Sequence, residues 1–157
     1  MPKLVYERRI SFCSLLFAIS LLAGCGGTPP KDLGVEDEQL KPCPSTPNCV
    51  STRADANVRH RMEPIAYSGN SEEAMETIAT AVEGSERAGI THRGDGYLRA
   101  AFTSRVFRFV DDVEFTLDEK EKLVHFRSAS RLGSSDMGVN RDRMTALSKE
   151  LKPKLGD

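Results

Sequence analysis

The side chains best equipped for chemistry lie between Asp111 and Arg143, where the chain runs DDVEF and then HFRSASRLGSSDMGVNRDR. Two kinds of chemistry suit such a stretch. Arginine forks such as those of Arg127 and Arg131 can close bidentate pairs with Asp111, Asp112 or Glu114, while the Ser-Asp-Asn segment caps the helix that follows. The same forks, with serine hydroxyls and a helix N-terminus near Asn140, could instead hold a small anion, a carboxylate or phosphate. A hydrolytic arrangement would draw on His125, Asp112 and a serine, but no nucleophile-elbow motif accompanies them. A metal site through His125 and Glu114 lacks recognisable ligand spacing, so neither metal nor cofactor is expected. His60 and His92 stand in polar surroundings and read as surface residues.

Placing these groups requires strands. With a period of two, Val113, Phe115 and Leu117 share one face and Asp112, Glu114 and Thr116 the other. The next run sets Val124 and Phe126 against His125, Arg127, Ala129 and Arg131, so two neighbouring strands lay arginines beside carboxylates. The charged turn Asp118-Glu119-Lys120-Glu121 joins them as a hairpin. An earlier hairpin pairs Ala88 to Arg93 with Tyr97 to Thr103 through Gly94-Asp95-Gly96; it turns Leu98, Ala100 and Phe102 inward and Arg99, Ala101, Thr103 and Arg105 outward. Arg61 to Tyr67 reads as a strand that Pro64 confines to an edge or a bulge. Asn70 with Glu73 opens a helix along Ala74, Met75, Ile78, Ala79 and Val82, stopped by Gly84. Val139, Met144, Leu147 and Leu151 stripe a last helix that Pro153 is expected to end. The fold class is therefore α+β: one domain, an antiparallel meander of about four to five strands with two helices on one face. Without βαβ alternation or a glycine-rich phosphate loop, a doubly wound nucleotide-binding fold is excluded.

A length of 157 residues suits one domain with appendages. Removing a leader that holds Lys3, Arg8, Arg9 and Glu7 turns 22 basic and 23 acidic residues into 19 and 22, a net charge of -3. Such a balance, with no tryptophan, gives no support to nucleic-acid binding.

Residues 1–24 read as a signal peptide, with Lys3, Arg8 and Arg9 before an apolar run from Ile10 to Ala23 that is short for a membrane span. The run ends in Leu21-Leu22-Ala23-Gly24-Cys25, which resembles a bacterial lipobox. The resemblance implies that Cys25 becomes the first mature residue and carries acyl chains, palmitate among them, which hold the protein on a membrane. Gly26 in the next position implies, by analogy with sorting in enterobacteria, the outer membrane rather than the inner one, with the domain facing the periplasm. Residues 25–41 carry few apolar side chains and read as a flexible tether, leaving 42–157 as the folded domain. Once Cys13 has left with the leader and Cys25 is lipidated, Cys43 and Cys49 remain as a pair in an oxidising compartment, where a disulfide is the default reading. Their five-residue spacing fits neither a redox nor a zinc motif.

The runs CPSTPNCVST, YLRAAFTSRVFRFVDDVEF and VHFRSASRLGSSDMGVNRDR together resemble the domain-of-unknown-function family numbered 1499, from about Cys43 to Leu151. That resemblance implies attachment to a membrane and brings no reaction, substrate or cofactor. It directs attention to Asp111, Asp112, Glu114, Arg127, Ser128, Ser130, Arg131, Asp136, Asn140, Arg141 and Arg143. The resulting reading is a cell-envelope lipoprotein, a binding or accessory module rather than an enzyme. Its partners would be the membrane, through its lipid, and an envelope protein or small anion. An envelope hydrolase is the alternative.

Overall fold

The structure is a computed structural model that describes residues 26–53, 55–94 and 96–156. The expected signal peptide and Cys25, the expected site of lipidation, lie outside the described residues. In chain order the elements are strands β1 (Val35–Glu36), β2 (Gln39–Leu40), β3 (Cys49–Ser51) and β4 (Ile65–Ala66), helix α1 (Ser71–Glu83), strands β5 (Ala88–Gly94), β6 (Tyr97–Thr103), β7 (Val110–Asp118) and β8 (Leu123–Ser130), and helix α2 (Val139–Leu155).

Strands β5 to β8 form the antiparallel meander, and β3 and β4 lie along the outer edge of β8. Cys49, Val50 and Ser51 pair with Ala129, Ser128 and Arg127, whereas Ile65 and Ala66 pair with Val124 and Leu123. The two short strands thus act as one edge strand interrupted by the loop between them, with Pro64 just before the second part, where its missing N–H costs no ladder bond. Six strand segments make the main sheet where four to five were expected, because this interrupted edge counts twice.

The core follows the alternation. Leu98 and Ala100 of β6, Val113 and Phe115 of β7, and Val124 and Phe126 of β8 are fully buried against Ile78 and Val82 of α1 and Met144 and Leu151 of α2. Burying each large aliphatic or aromatic side chain contributes about 1.5 to 3 kcal/mol. Asn70 caps α1 as expected, its Oδ1 accepting from the Glu73 N–H at 2.8 Å. Pro153, in contrast, does not end α2. The helix continues to Leu155 and stops at Gly156, whose φ of 88° is the left-handed cap that glycine adopts freely. A proline in the last turn leaves only a carbonyl one turn back without its N–H. Burial of Leu155 and two hydrogen bonds from Ser68 to the Leu155 carbonyl hold that turn in place.

The Cys43–Cys49 disulfide is present. Closing so small a ring contributes about 2.4 kcal/mol on the loop-entropy estimate, and less where Pro44 and Pro47 already stiffen the unfolded loop. His60, expected on the surface, is buried beside this ring, with Nδ1 2.9 Å from the Cys49 carbonyl. One polar residue buried through one hydrogen bond leaves no pattern in the sequence.

The sheet face opposite the helices is covered by the chain itself. Residues 26–41, expected as a solvated tether, lie across it with the β1–β2 hairpin at their end, and Leu40 is buried. Among the described residues no helix is long and apolar enough to cross a membrane.

Candidate functional site

Neighbouring positions on a strand point to opposite faces, so the polar stretch from Asp111 to Arg143 divides into two networks on either side of the sheet. On the outer face Glu114 sits directly opposite Arg127 in the β7–β8 ladder. Both are buried, and Arg127 Nη1 donates to Glu114 at 2.8 Å. The second Glu114 oxygen accepts from the Tyr97 hydroxyl and from the Gly34 N–H, both at 2.7 Å. Burial and this carboxylate push the Tyr97 phenol well above its usual pKa, so it stays protonated and donates. Arg127 Nη2 reaches Asp32 at 2.9 Å, binding the N-terminal segment to the sheet. Arg131 grips Asp112, which is fully buried, through two bonds of 2.7 and 2.9 Å. Its remaining amino group donates to the Gly27 carbonyl.

On the helix face Asn140 is the hub. Its amide nitrogen donates to the Asn48 carbonyl, to Ser130 and to Asp136, and its oxygen accepts from Ser128 and Arg143. Arg143 also pairs with Asp111 at 2.5 Å and lies over the Phe102 ring. Asp136 caps α2, accepting the Gly138 and Asn140 N–H groups. Burial raises its carboxyl pKa, but those bonds outweigh burial and hold it below the ordinary carboxylate value. Arg141 belongs to neither network and donates to the Arg59 and Arg61 carbonyls. The structure therefore brings together four of the sequence-derived residues on one face and six on the other, and separates Arg141 from both. Asp32, Gly34 and Tyr97, which complete the outer network, were not foreseen from the sequence. No spacing rule marks a single aspartate in a polar segment as the partner of an arginine 95 positions later.

A family model described as "Protein of unknown function (DUF1499)" matches residues 39–151. The chain belongs to this family. Its matched segment begins within the β1–β2 hairpin and ends in α2, so it takes in the helix-face network and the strand residues of the outer one, while Gly27, Asp32 and Gly34 precede it. Comparison with curated proteins returns no match.

In this member of the family a sizeable concavity lies away from Arg127, Arg131 and Arg143. It is a cleft of about 700 Å³ between the β1–β2 hairpin and the far ends of β7 and β8, lined by Asp37, Glu38, Thr116, Asp118, Glu119, Lys120 and His125 among others. His125 is half-buried and shares a 3.1 Å hydrogen bond with the Thr52 hydroxyl. Its ladder partner is Thr116, four residue pairs from Asp112, about 13 Å along the strand. With Asp112 held by Arg131, the histidine and acid of the hydrolytic arrangement are not brought together. Burial lowers the His125 pKa, against a smaller opposing pull from Asp118.

The unfolded histidine takes its proton near pH 6.5 and the folded one only at lower pH, so the contribution of His125 is present above about pH 6.5 and lost as pH falls through the folded midpoint. A proton NMR titration is expected to place that midpoint below 6.5. His125→Gln should remove this part of the stability slope; a midpoint at or above 6.5 would contradict the burial argument.

Proposed function

We propose that the protein is a lipid-anchored accessory module of the bacterial cell envelope that makes contacts with a partner rather than transforming a substrate. The observation that carries this reading is the saturation of its arginines. Arg127, Arg131 and Arg143 each have a protein carboxylate within 2.9 Å, so their forks are engaged in holding the domain rather than open to a small anion. A concave surface apart from them, the cleft at His125, carries Asp37, Glu38, Asp118 and Glu119 against Lys120 and Arg53, and Arg53 is itself paired with Asp55. That balance repels anions and favours a neutral or cationic surface of an envelope protein. Anchoring rests on the Leu21-Leu22-Ala23-Gly24-Cys25 run, since a thiol at Cys25 is the group that accepts a lipid. Labelled palmitate is expected to enter the native chain and not Cys25→Ser, because serine has no thiol to acylate. Equal incorporation in both would remove the lipoprotein reading.

A further inference from the structure

We propose that the end of the sheet where β6 turns into β7 and β8 leads into α2 is a second membrane contact, a cationic apolar patch resting in the headgroup layer of an anionic bilayer. The proposal builds on the lipid-anchor reading and names the surface that the anchor would bring to the bilayer. The β6–β7 loop reads Ser-Arg-Val-Phe-Arg-Phe from Ser104 to Phe109, with two arginines and no acid. Val106 is 75 % exposed and Phe107 70 %, and the Phe107 and Phe109 rings lie 5.8 Å apart in solvent. Arg105 and Arg108 are exposed between them. The Arg131 N–H bonds to the Val110 carbonyl at 3.0 Å, which sets the next loop alongside. That loop exposes Leu132 and, at 97 %, Met137.

Clustered large apolar side chains in water are costly and mark a surface that meets something. The chain's own N-terminal direction indicates what. Arg131 donates to the Gly27 carbonyl, and Gly27 packs so closely on Leu132 that a Cβ there would lie 3.2 Å from Leu132 Cγ. Cys25 is two residues before Gly27, so acyl chains on it would emerge beside the patch. Aromatic rings with interleaved arginines are the composition that sits at a bilayer interface, the rings at headgroup level and the cations against anionic lipid. One acylated residue and a basic apolar surface then act as two signals on the same side of the domain.

The chain contains no tryptophan, so one introduced indole reports its surroundings without background. Native acylated protein carrying Phe107→Trp, or Lys120→Trp at the opposite end of the β7–β8 hairpin, is reconstituted on vesicles of phosphatidylethanolamine and phosphatidylglycerol with brominated acyl chains. Bromolipid quenching at position 107 is expected to exceed that at 120 by about threefold or more, with a blue-shifted emission at 107 only. Protein that floats with the vesicles while the indole at 107 stays open to iodide and unquenched by bromolipid would overturn the patch and leave the anchor intact. An indole at 107 shielded from iodide yet silent to bromolipid would mean that protein covers this face, and would overturn the patch too. Quenching at 107 in a chain found to carry no acyl group would remove the anchor and retain the patch. A chain that stays off the vesicles with 107 unquenched would remove both.

Discussion

Arg127→Ala is expected to destabilise the domain by about 3 to 5 kcal/mol, because it leaves the fully buried Glu114 carboxylate without its counter-charge. For a domain of this size that loss corresponds to a fall in Tm of about 10 to 20 °C. Glu114 would keep its bonds from Tyr97 and Gly34, which places the effect toward the lower end of the range. The N-terminal segment would also lose Asp32's partner, so protease cleavage before Leu40 should quicken in the variant. Arg131→Ala should cost a comparable amount by stranding Asp112. Replacing both members of this buried pair, Arg127→Met with Glu114→Gln, should recover most of the loss, since it leaves no unpaired charge and the Gln amide oxygen can still accept from Tyr97 and Gly34. Arg127 Nε has no partner among the described residues, which lowers the net worth of the native pair. Thermal unfolding measures each effect. Because the forks are already occupied, phosphate should leave the wild-type Tm unchanged; a rise by linkage would mean that an anion site exists after all. An unaltered Tm in both single variants would sink the internal-pair account.

Asn140→Ala should cost about 2 to 4 kcal/mol with no change of net charge, which separates hydrogen bonding from ion pairing. The substitution removes all five bonds at once and leaves the Ser128 hydroxyl without its acceptor in a site from which water is excluded, although the Asn48 carbonyl keeps the Ser130 N–H and Arg143 keeps Ser128 and Asp111. Urea unfolding is expected to show a lower midpoint at unchanged slope, since the variant exposes the same surface on unfolding. A variant as stable as the native chain would mean that Asn140 is not the hub that its five bonds suggest.

Adjacent aspartates illustrate how a local rule was right while the inference drawn from it was too narrow. Asp111 and Asp112 follow each other in the chain, and the strand period places them on opposite faces. Asp111 turns toward Arg143 of α2, while Asp112 turns to Arg131 on the outer face. Both faces of β7 are buried, the inner one by helices and the outer one by residues 26–40, so the alternation of apolar and polar side chains marks two kinds of burial rather than core and solvent.

The sequence by itself determined the four meander strands, the two helices and the core, but not the short strands β1 to β3. Leu98, Ala100, Phe102, Val113, Phe115, Val124 and Phe126 declare their shared face because apolar burial is additive and nearly non-directional, so period alone carries it. The Asn70 cap and the Cys43–Cys49 bridge were legible for a related reason, since their partners lie within six residues. Only the tertiary structure decided what covers the outer face, where the cleft lies and which carboxylate each arginine holds. Those choices rest on directional bonds between distant residues, Asp32 with Arg127, Gly34 with Glu114 and Gly27 with Arg131. A hydrogen bond needs one donor and one acceptor at about 3 Å and imposes no repeat on the chain. A segment held by three such bonds and one buried leucine therefore has the composition of a tether and the position of a cover.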